Sequence, residues 1–298
     1  MRCRLCGKKA IYKELRFCEE HFTSYFDKKV KKVLSNPLFK DKKLLVALSG
    51  GKDSSALLFS LAKLVENEEI DFSLKKVEAL YIELGISGYS ESNLKASKEL
   101  CNSLSINLNV ANLSDENGVS VDSVSKKSRK VCSECGVLKR YLINRFAFEN
   151  GFDFVLTGHN IDDELFFAFH NLINGNLNYL ARSGKITPTD NEKKLVGRVK
   201  PLYYISEKET AIYCLINNVP FSREKCPYSK NNAQIEMKSK IPLLLDSKSK
   251  KISFLKHLNK LKKYFPLEEE NSVEKCERCG FPTTTKICKF CRIIEKNK

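Results

Sequence analysis

Seven consecutive residues, Ser49-Gly50-Gly51-Lys52-Asp53-Ser54-Ser55, have the composition of an anion cradle. Two glycines let backbone N–H groups approach a phosphate closely, and a helix N-terminus adds partial positive charge. Lys52 adds a full charge and the three serines add hydroxyl donors. The run is not a Walker A loop, because Asp53 stands where Ser or Thr should follow the lysine. A glycine pair alone would suit a capped turn, whereas this longer run between an apolar strand and a helix points to phosphate binding.

The 12 cysteines form a second chemical resource. Cys3-x2-Cys6 with Cys18-x2-His21, and Cys276-x2-Cys279 with Cys288-x2-Cys291, each offer four ligands on two tight turns. That pattern suits tetrahedral Zn²⁺, with sulfur at about 2.3 Å and nitrogen at about 2.0 Å. Four protein ligands leave no open position, so both ends are expected to be structural zinc sites. The alternatives are buried thiols or a redox pair. Cys101 and Cys214 fall in helical apolar patterns and suit core thiols. Cys132-x2-Cys135 follows the basic run Lys126, Lys127, Arg129, Lys130, and Cys226 precedes Pro227. Positive surroundings favour thiolates there. By spacing alone these three suit a metal cluster, a persulfide or disulfide, or an incomplete zinc site.

The elements that would hold these residues alternate. Leu44–Leu48, Val77–Ile82, Ile106–Val110 and Phe154–Leu156 read as strands. Helical spacing follows from Ala56, in 94–104, in 137–148 and in 165–173. The order implies an α/β fold, a doubly wound parallel sheet with ligands beyond the carboxyl ends of its strands. Residues 175–200 read as an exposed loop. Ser206 and Glu209 resemble a capping box for a helix to Asn217. Residues 229–240 show no clear element. Ile252, Leu255, Leu258, Leu261 and Tyr264 form an apolar helix face, with Lys256, Lys260, Lys262 and Lys263 as its solvated side. Glu268-Glu269-Glu270 marks a linker. Three parts are expected: a zinc finger at 1–30, a catalytic domain at 31–265 and a zinc ribbon at 266–298.

Composition bounds the function class. The chain has 298 residues, 42% hydrophobic and 30% charged, a globular balance. Lys plus Arg is 52 and Asp plus Glu is 36, a net charge of +16. That excess favours a nucleic acid partner. No stretch has transmembrane length and no apolar signal core opens the sequence, so a cytoplasmic protein is expected.

Further segments complete a pattern: Thr157-Gly158-His159-Asn160-Ile161-Asp162-Asp163-Glu164, Cys132-Ser133-Glu134-Cys135-Gly136-Val137-Leu138-Lys139-Arg140, Pro201-Leu202 with Glu207-Lys208-Glu209, and Cys226-Pro227-Tyr228-Ser229. With the Ser49–Ser55 loop and both cysteine-rich ends, the chain resembles the TtuA/TtcA group of the ATP pyrophosphatase superfamily, and within it the TtuA-type tRNA 2-thiouridine synthetases. The resemblance spans nearly the whole chain. It implies adenylation of a tRNA uridine C2 oxygen by ATP with Mg²⁺, then replacement of that oxygen by sulfur, at position 54 or wobble position 34. It implies a 4Fe-4S cluster on Cys132, Cys135 and Cys226. It implies nucleotide contacts at Ala47, the Ser49–Ser55 loop, Ile82 and Gly158. Lys139, one helical turn after Cys135, is the expected catalytic cation at the α-phosphate, and Asp163 is expected in proton transfer or in orienting Lys139, the alternative for each being an exposed salt-bridging residue. A ubiquitin-like sulfur carrier or sulfide as donor, and a homodimer, are also implied. The group tends to carry an acidic pair after the second strand, where this chain has only Glu83 before Leu84-Gly85-Ile86. An ATP-using ligase without sulfur transfer and a non-enzymatic zinc-ribbon RNA-binding protein are the competing readings.

Overall fold

The structure, a computed structural model, describes residues 1–71, 73–229, 233–265 and 274–298. The expected linker at Glu268–Glu270 lies outside the described residues. Before the sheet runs α1 (Glu19–Leu34). The sheet begins with β1 (Leu44–Ala47), followed by α2 (Lys52–Glu66), β2 (Val77–Glu83), α3 (Tyr89–Ser103) and β3 (Asn107–Asn112). Two short helices, α4 (Leu113–Asn117) and α5 (Val121–Lys127), lead to the long α6 (Val131–Glu149). Then come β4 (Phe154–Thr157), α7 (Ile161–Ile173), α8 (Leu177–Arg182), β5 (Ile186–Thr187), β6 (Gly197–Val199) and α9 (Glu207–Ile216). The remainder is α10 (Ala233–Leu244), α11 (Lys248–Leu261), the hairpin of β7 (Glu274–Lys275) and β8 (Pro282–Thr283), and α12 (Lys289–Asn297).

The main sheet has the order β3-β2-β1-β4-β6-β5. All pairs are parallel except β5 with β6. The chain leaves β1 toward β2 and β3, then returns to the other side of β1 with β4. The topological switch therefore lies between β1 and β4, the place where such sheets open a crevice. Ala47 pairs with Thr157, so the loops that follow these two strands start abreast.

Strand alternation divides the core. Leu44, Val46 and Leu156 face one cluster with α1, α2 and α9, whereas Leu45, Leu80 and Val155 face another with α5, α6 and α12. A third cluster joins α7, α8, α10 and α11 through Ile161, Leu165, Leu180, Ile241, Leu255 and Leu258. No helix among the described residues is long and apolar enough to cross a membrane.

Three expectations differ from the structure. Residues 175–200 contain α8, β5 and β6, and Leu180, Val196 and Val199 are buried. These elements are too short to announce themselves by periodicity. Residues 229–240 include the first two turns of α10, whose inner side carries Met237 and Ile241. Lys262 is not on a solvated face, since its Nζ donates to Ser183 O at 2.8 Å and to Ser183 Oγ at 2.6 Å.

A buried carboxylate fastens the amino-terminal helix. Asp27 of α1 accepts from Ser60 Oγ (2.7 Å) and Lys63 Nζ (2.7 Å) of α2 and from Tyr213 OH (2.5 Å) of α9. Deleting one member of such a set leaves the others desolvated without a partner. Asp27→Ala should therefore lower stability by about 3 kcal/mol, read as a lower urea midpoint. Asp27→Asn should lose less.

Candidate active site and metal centres

The loop after β1 is built as its glycines require. Gly50 has φ +75°, and a Cβ there would lie 2.5 Å from Asn93 O. Gly51 caps α2, which begins at Lys52. Ser54 Oγ accepts from Ser49 N at 3.1 Å and lies 3.0 Å from Ser49 Oγ. Ser55 Oγ is buried with no hydrogen-bond partner. Gly158, just after β4, lies so close that a Cβ would stand 2.7 Å from Ser54 N. Two backbone segments and a helix N-terminus thus form one cradle at the switch point.

Six side chains close a ring around this cradle. Asp53 accepts from Lys52 Nζ (2.8 Å), Thr210 Oγ1 (2.5 Å) and Asn160 Nδ2 (3.2 Å). Asn160 caps α7, accepting from Asp163 N at 3.1 Å, while Asp163 Oδ2 accepts from Asn160 N at 3.1 Å. Asp163 Oδ1 takes Lys238 Nζ at 2.6 Å and Gln234 Nε2 at 3.1 Å. Lys238 Nζ lies 3.3 Å from Glu207 Oε1, and Lys52 Nζ lies 3.6 Å from the same oxygen. The ring runs Asp53–Asn160–Asp163–Lys238–Glu207–Lys52 and joins α2, α7, α9 and α10.

Burial drives the Asp53 carboxyl above its usual range, although Lys52 and Thr210 oppose this. Burial also acts to raise Asp163, but Lys238, His159 and the Asn160 N–H outweigh it and hold that carboxyl below its usual range. Asp162 serves a different purpose. It accepts from Glu207 N (2.9 Å) and pairs with Lys251 (2.6 Å), fixing the start of α9 against α7 and α11.

The three central cysteines meet beside this cradle. Cys132 and Cys135 lie on the first turns of α6, and Cys226 opens a 3-10 turn at Pro227–Ser229. Cys132 Sγ donates to Tyr228 O at 3.2 Å. Tyr228 OH donates in turn to Asp122 Oδ1 of α5 at 2.7 Å. Upstream, Ser222 N donates to Gly50 O at 2.8 Å, so the segment that carries Cys226 starts on the phosphate cradle. Lys139, one helical turn beyond Cys135, is exposed and has no ion pair among the described residues. Burial raises the Cys132 and Cys135 thiols, and the Lys139 charge opposes that rise.

The end sets differ in geometry. Among the described residues, Cys3, Cys6, Cys18 and His21 form one group, and Cys276, Cys279, Cys288 and Cys291 another, with all ligand atoms within 4.8 Å of one another. Cys6–Cys18 is 3.6 Å, Cys279–Cys288 3.7 Å and Cys276–Cys291 4.0 Å between sulfurs. A tetrahedral ion with Zn–S of about 2.3 Å requires edges of about 3.8 Å. Burial acts to raise the Cys276 thiol, but N–H groups of Cys288, Cys279 and Arg278 bring it down to about 6, the charge state a metal ligand needs. Cys132, Cys135 and Cys226 form no such tight group. Cys101 and Cys214 are buried in the core. The twelve cysteines thus fall into seven in the two end groups, two core thiols and the three central thiols.

Of the residues expected from sequence, the Ser49–Ser55 loop, Gly158 and Asp163 converge on the cradle, with Ala47 at the end of β1. Ile82 is buried under the crevice among Leu80, Leu84 and Ala111. Lys139 is with the cysteines, and Asp163 pairs with Lys238 rather than with Lys139. Glu83 accepts from Gly85 N at 2.9 Å and so braces the turn after β2. Lys238 had no sequence signal beyond the i, i+4 spacing of Met237 and Ile241.

A family model described as a PP-loop domain matches residues 22–233. The chain is 37% identical over 300 residues to the tRNA-5-methyluridine(54) 2-sulfurtransferase of Pyrococcus horikoshii, covering 98% of this chain and 93% of that protein. It is 31% identical to the tRNA 2-thiolation protein NcsA of Haloferax volcanii, covering 99% and 98%. Among solved structures, the U34-tRNA thiolase NcsA from Methanococcus maripaludis, with its 4Fe-4S cluster, superposes at TM-score 0.82 and 28% identity, covering 99% of this chain and 96% of that one. The chain belongs to the PP-loop tRNA 2-thiolation family. The Ser49–Ser55 run lies within the residues that this PP-loop model matches.

The close approach of Gly158 gives a direct test. Gly158→Ala must push the β4 loop off the start of α2. ATP affinity, measured by calorimetry, should fall at least about tenfold, the equivalent of about 1.4 kcal/mol.

Proposed function

We propose that this protein is an ATP-dependent tRNA 2-thiouridine synthetase. The observation that carries the reading is the joining of the Ser49–Ser55 loop to three thiols that neither end group uses, with the exposed Lys139 beside them. Its family membership supports the same reaction class.

The cradle N–H groups, Lys52 and the loop serines would hold the β- and γ-phosphates, with Mg²⁺ offsetting their charge. The uridine C2 oxygen attacks the α-phosphorus, pyrophosphate leaves, and the N3 proton passes to the ionised Asp163. Lys139 would stabilise charge on the α-phosphate as it builds. Hydrosulfide then attacks C2, AMP leaves with the former oxygen, and a proton returns to N3. The products are 2-thiouridine, AMP and pyrophosphate.

The open set Cys132, Cys135 and Cys226 fits a 4Fe-4S cluster with three protein thiolates. When bound, such a cluster supplies an iron without a protein ligand, able to hold hydrosulfide. The closed end sets fit structural zinc, and each would fasten its end of the chain to the catalytic body. Three parts, at 1–30, 31–265 and 266–298, follow from that reading, although α1 runs unbroken past residue 30. A ubiquitin-like carrier or free sulfide would supply the sulfur, a homodimer is the expected assembly, and the cytoplasm is the expected compartment.

Anaerobic protein given tRNA, ATP, Mg²⁺ and sulfide should produce 2-thiouridine, detected by mass spectrometry of digested nucleosides. Nuclease fragments from the same sample locate position 54 or 34. An intact cluster and bound tRNA without thiolated product would sink the proposal. The metal assignments separate by mutation. Cys132→Ala should lose iron and the cluster absorbance yet keep about two zinc ions per chain. Cys279→Ser should lose about one zinc and melt at lower temperature.

A further inference from the structure

Lys238 has no role in the reaction steps above, yet it occupies the most constrained cation position of the ring. Its side chain is 16% exposed and its Nζ meets two carboxylates from two other helices. Asp163 Oδ2 is held by the N–H of its own helix cap, whereas among the described residues Oδ1 is held by α10, through Lys238 and Gln234. The aim of that carboxylate therefore depends on an element outside the nucleotide motifs. Glu207 Oε1 is shared between Lys238 and Lys52 of the PP loop. A polyphosphate drawn to Lys52 competes with Glu207 for it, leaving Glu207 to Lys238 alone.

We infer that Lys238 is a positioning residue: it aims Asp163 for the proton step and, through Glu207, links that carboxylate to occupancy of the PP loop. The inference rests on the thiolation reading, in which Asp163 takes the N3 proton. The other charged groups that act on Asp163 are His159 from its own loop and Glu164 on α7; Glu207 on α9, and Lys52 with Asp53 on α2, connect to it through Lys238 and Asn160. Lys200 of the β6 edge is occupied by Glu164 at 2.7 Å. Lys238 is thus the cation that touches Asp163 directly, and its charge opposes the rise that burial imposes. The sign follows. A carboxyl held low stays ionised as pH falls, so removing the lysine charge raises its pKa and moves the acid limb of activity to higher pH.

The test compares Lys238→Gln, Lys238→Arg and wild-type holoenzyme in kcat and KM for ATP across pH. Lys238→Gln should shift the acid limb upward and cut kcat at pH 6 by about tenfold, with KM for ATP within about threefold. Lys238→Arg should return the limb toward wild type. An unmoved limb in folded Lys238→Gln, or a rise in KM alone, overturns the inference. Should that variant not fold, Glu207→Gln serves with the opposite sign. It frees Lys238 for Asp163, so the limb should move to lower pH, and an unmoved limb overturns the inference equally. If wild-type protein thiolates no tRNA, the functional reading fails, but the inference retains its own readout. Carboxyl ¹³C NMR titration, with Asp163→Asn for assignment, should show Asp163 titrating at higher pH in Lys238→Gln. Identical titration in both proteins overturns it.

Discussion

Parallel pairing of β1 with β4 is the constraint from which the rest of the site follows. It sets Ala47 beside Thr157 and sends two loops out of the sheet side by side. The loops then come so close that Gly158 has no room for a side chain against Ser54. That contact puts Asn160 within reach of Asp53, and the remaining partners of the ring are brought in around that bond. The ring is fixed in place by backbone geometry, since the cap of α7 supplies two of its hydrogen bonds. A buried carboxylate would be costly alone. Here Asp53 has three donors and Asp163 has three, so desolvation is offset by partners already in position.

The two cysteine-rich ends bind to opposite faces of the sheet. The amino-terminal set places Cys18 as the cap of α1 and His21 on its first turn, and that helix is anchored through Asp27 to α2 and α9. The carboxyl-terminal set leads into α12, whose Phe290 stacks on Tyr141 of α6 at 3.7 Å between ring centroids. α6 is the helix that presents Cys132, Cys135 and Lys139. Each terminal unit therefore stiffens one helix adjoining the site: α1 braces α2, which carries the PP loop, and α12 braces α6. This gives a physical reason for ligand pairs at both ends of the chain.

Much of this was legible in the amino-acid sequence, and for identifiable reasons. The Ser49–Ser55 turn between β1 and α2 was legible because its glycines answer to one requirement, close approach of backbone. The grouping of the Cys and His side chains at each end was legible because paired short spacings place two residues on each tight turn. The centre of the sheet read from Leu44–Leu48 and Phe154–Leu156, whose burial leaves unbroken apolar runs. β6 did not read, because three residues carry no period. α10 did not read because Pro242 and its lysines obscure the inner positions Met237 and Ile241. The ring itself could not be read, since Lys238 meets Asp163 across 75 positions of chain. Side-chain partnership at that separation is a property of the sheet order, and no local pattern encodes it.

The sequence separations within the three cysteine-containing sets make different demands on the fold. Cys3 and His21 are 18 residues apart, and Cys276 and Cys291 are 15 apart. Cys132 reaches Tyr228, two residues after Cys226, across 96. Closing the long loop costs more entropy than closing either short one, and it requires β4, β6 and α9 to be in place first. Each end set can close as soon as its own short segment has been synthesised. The central thiols come together only in the finished fold, so any partner that acts on all three would have to recognise a nearly complete protein and not an emerging chain.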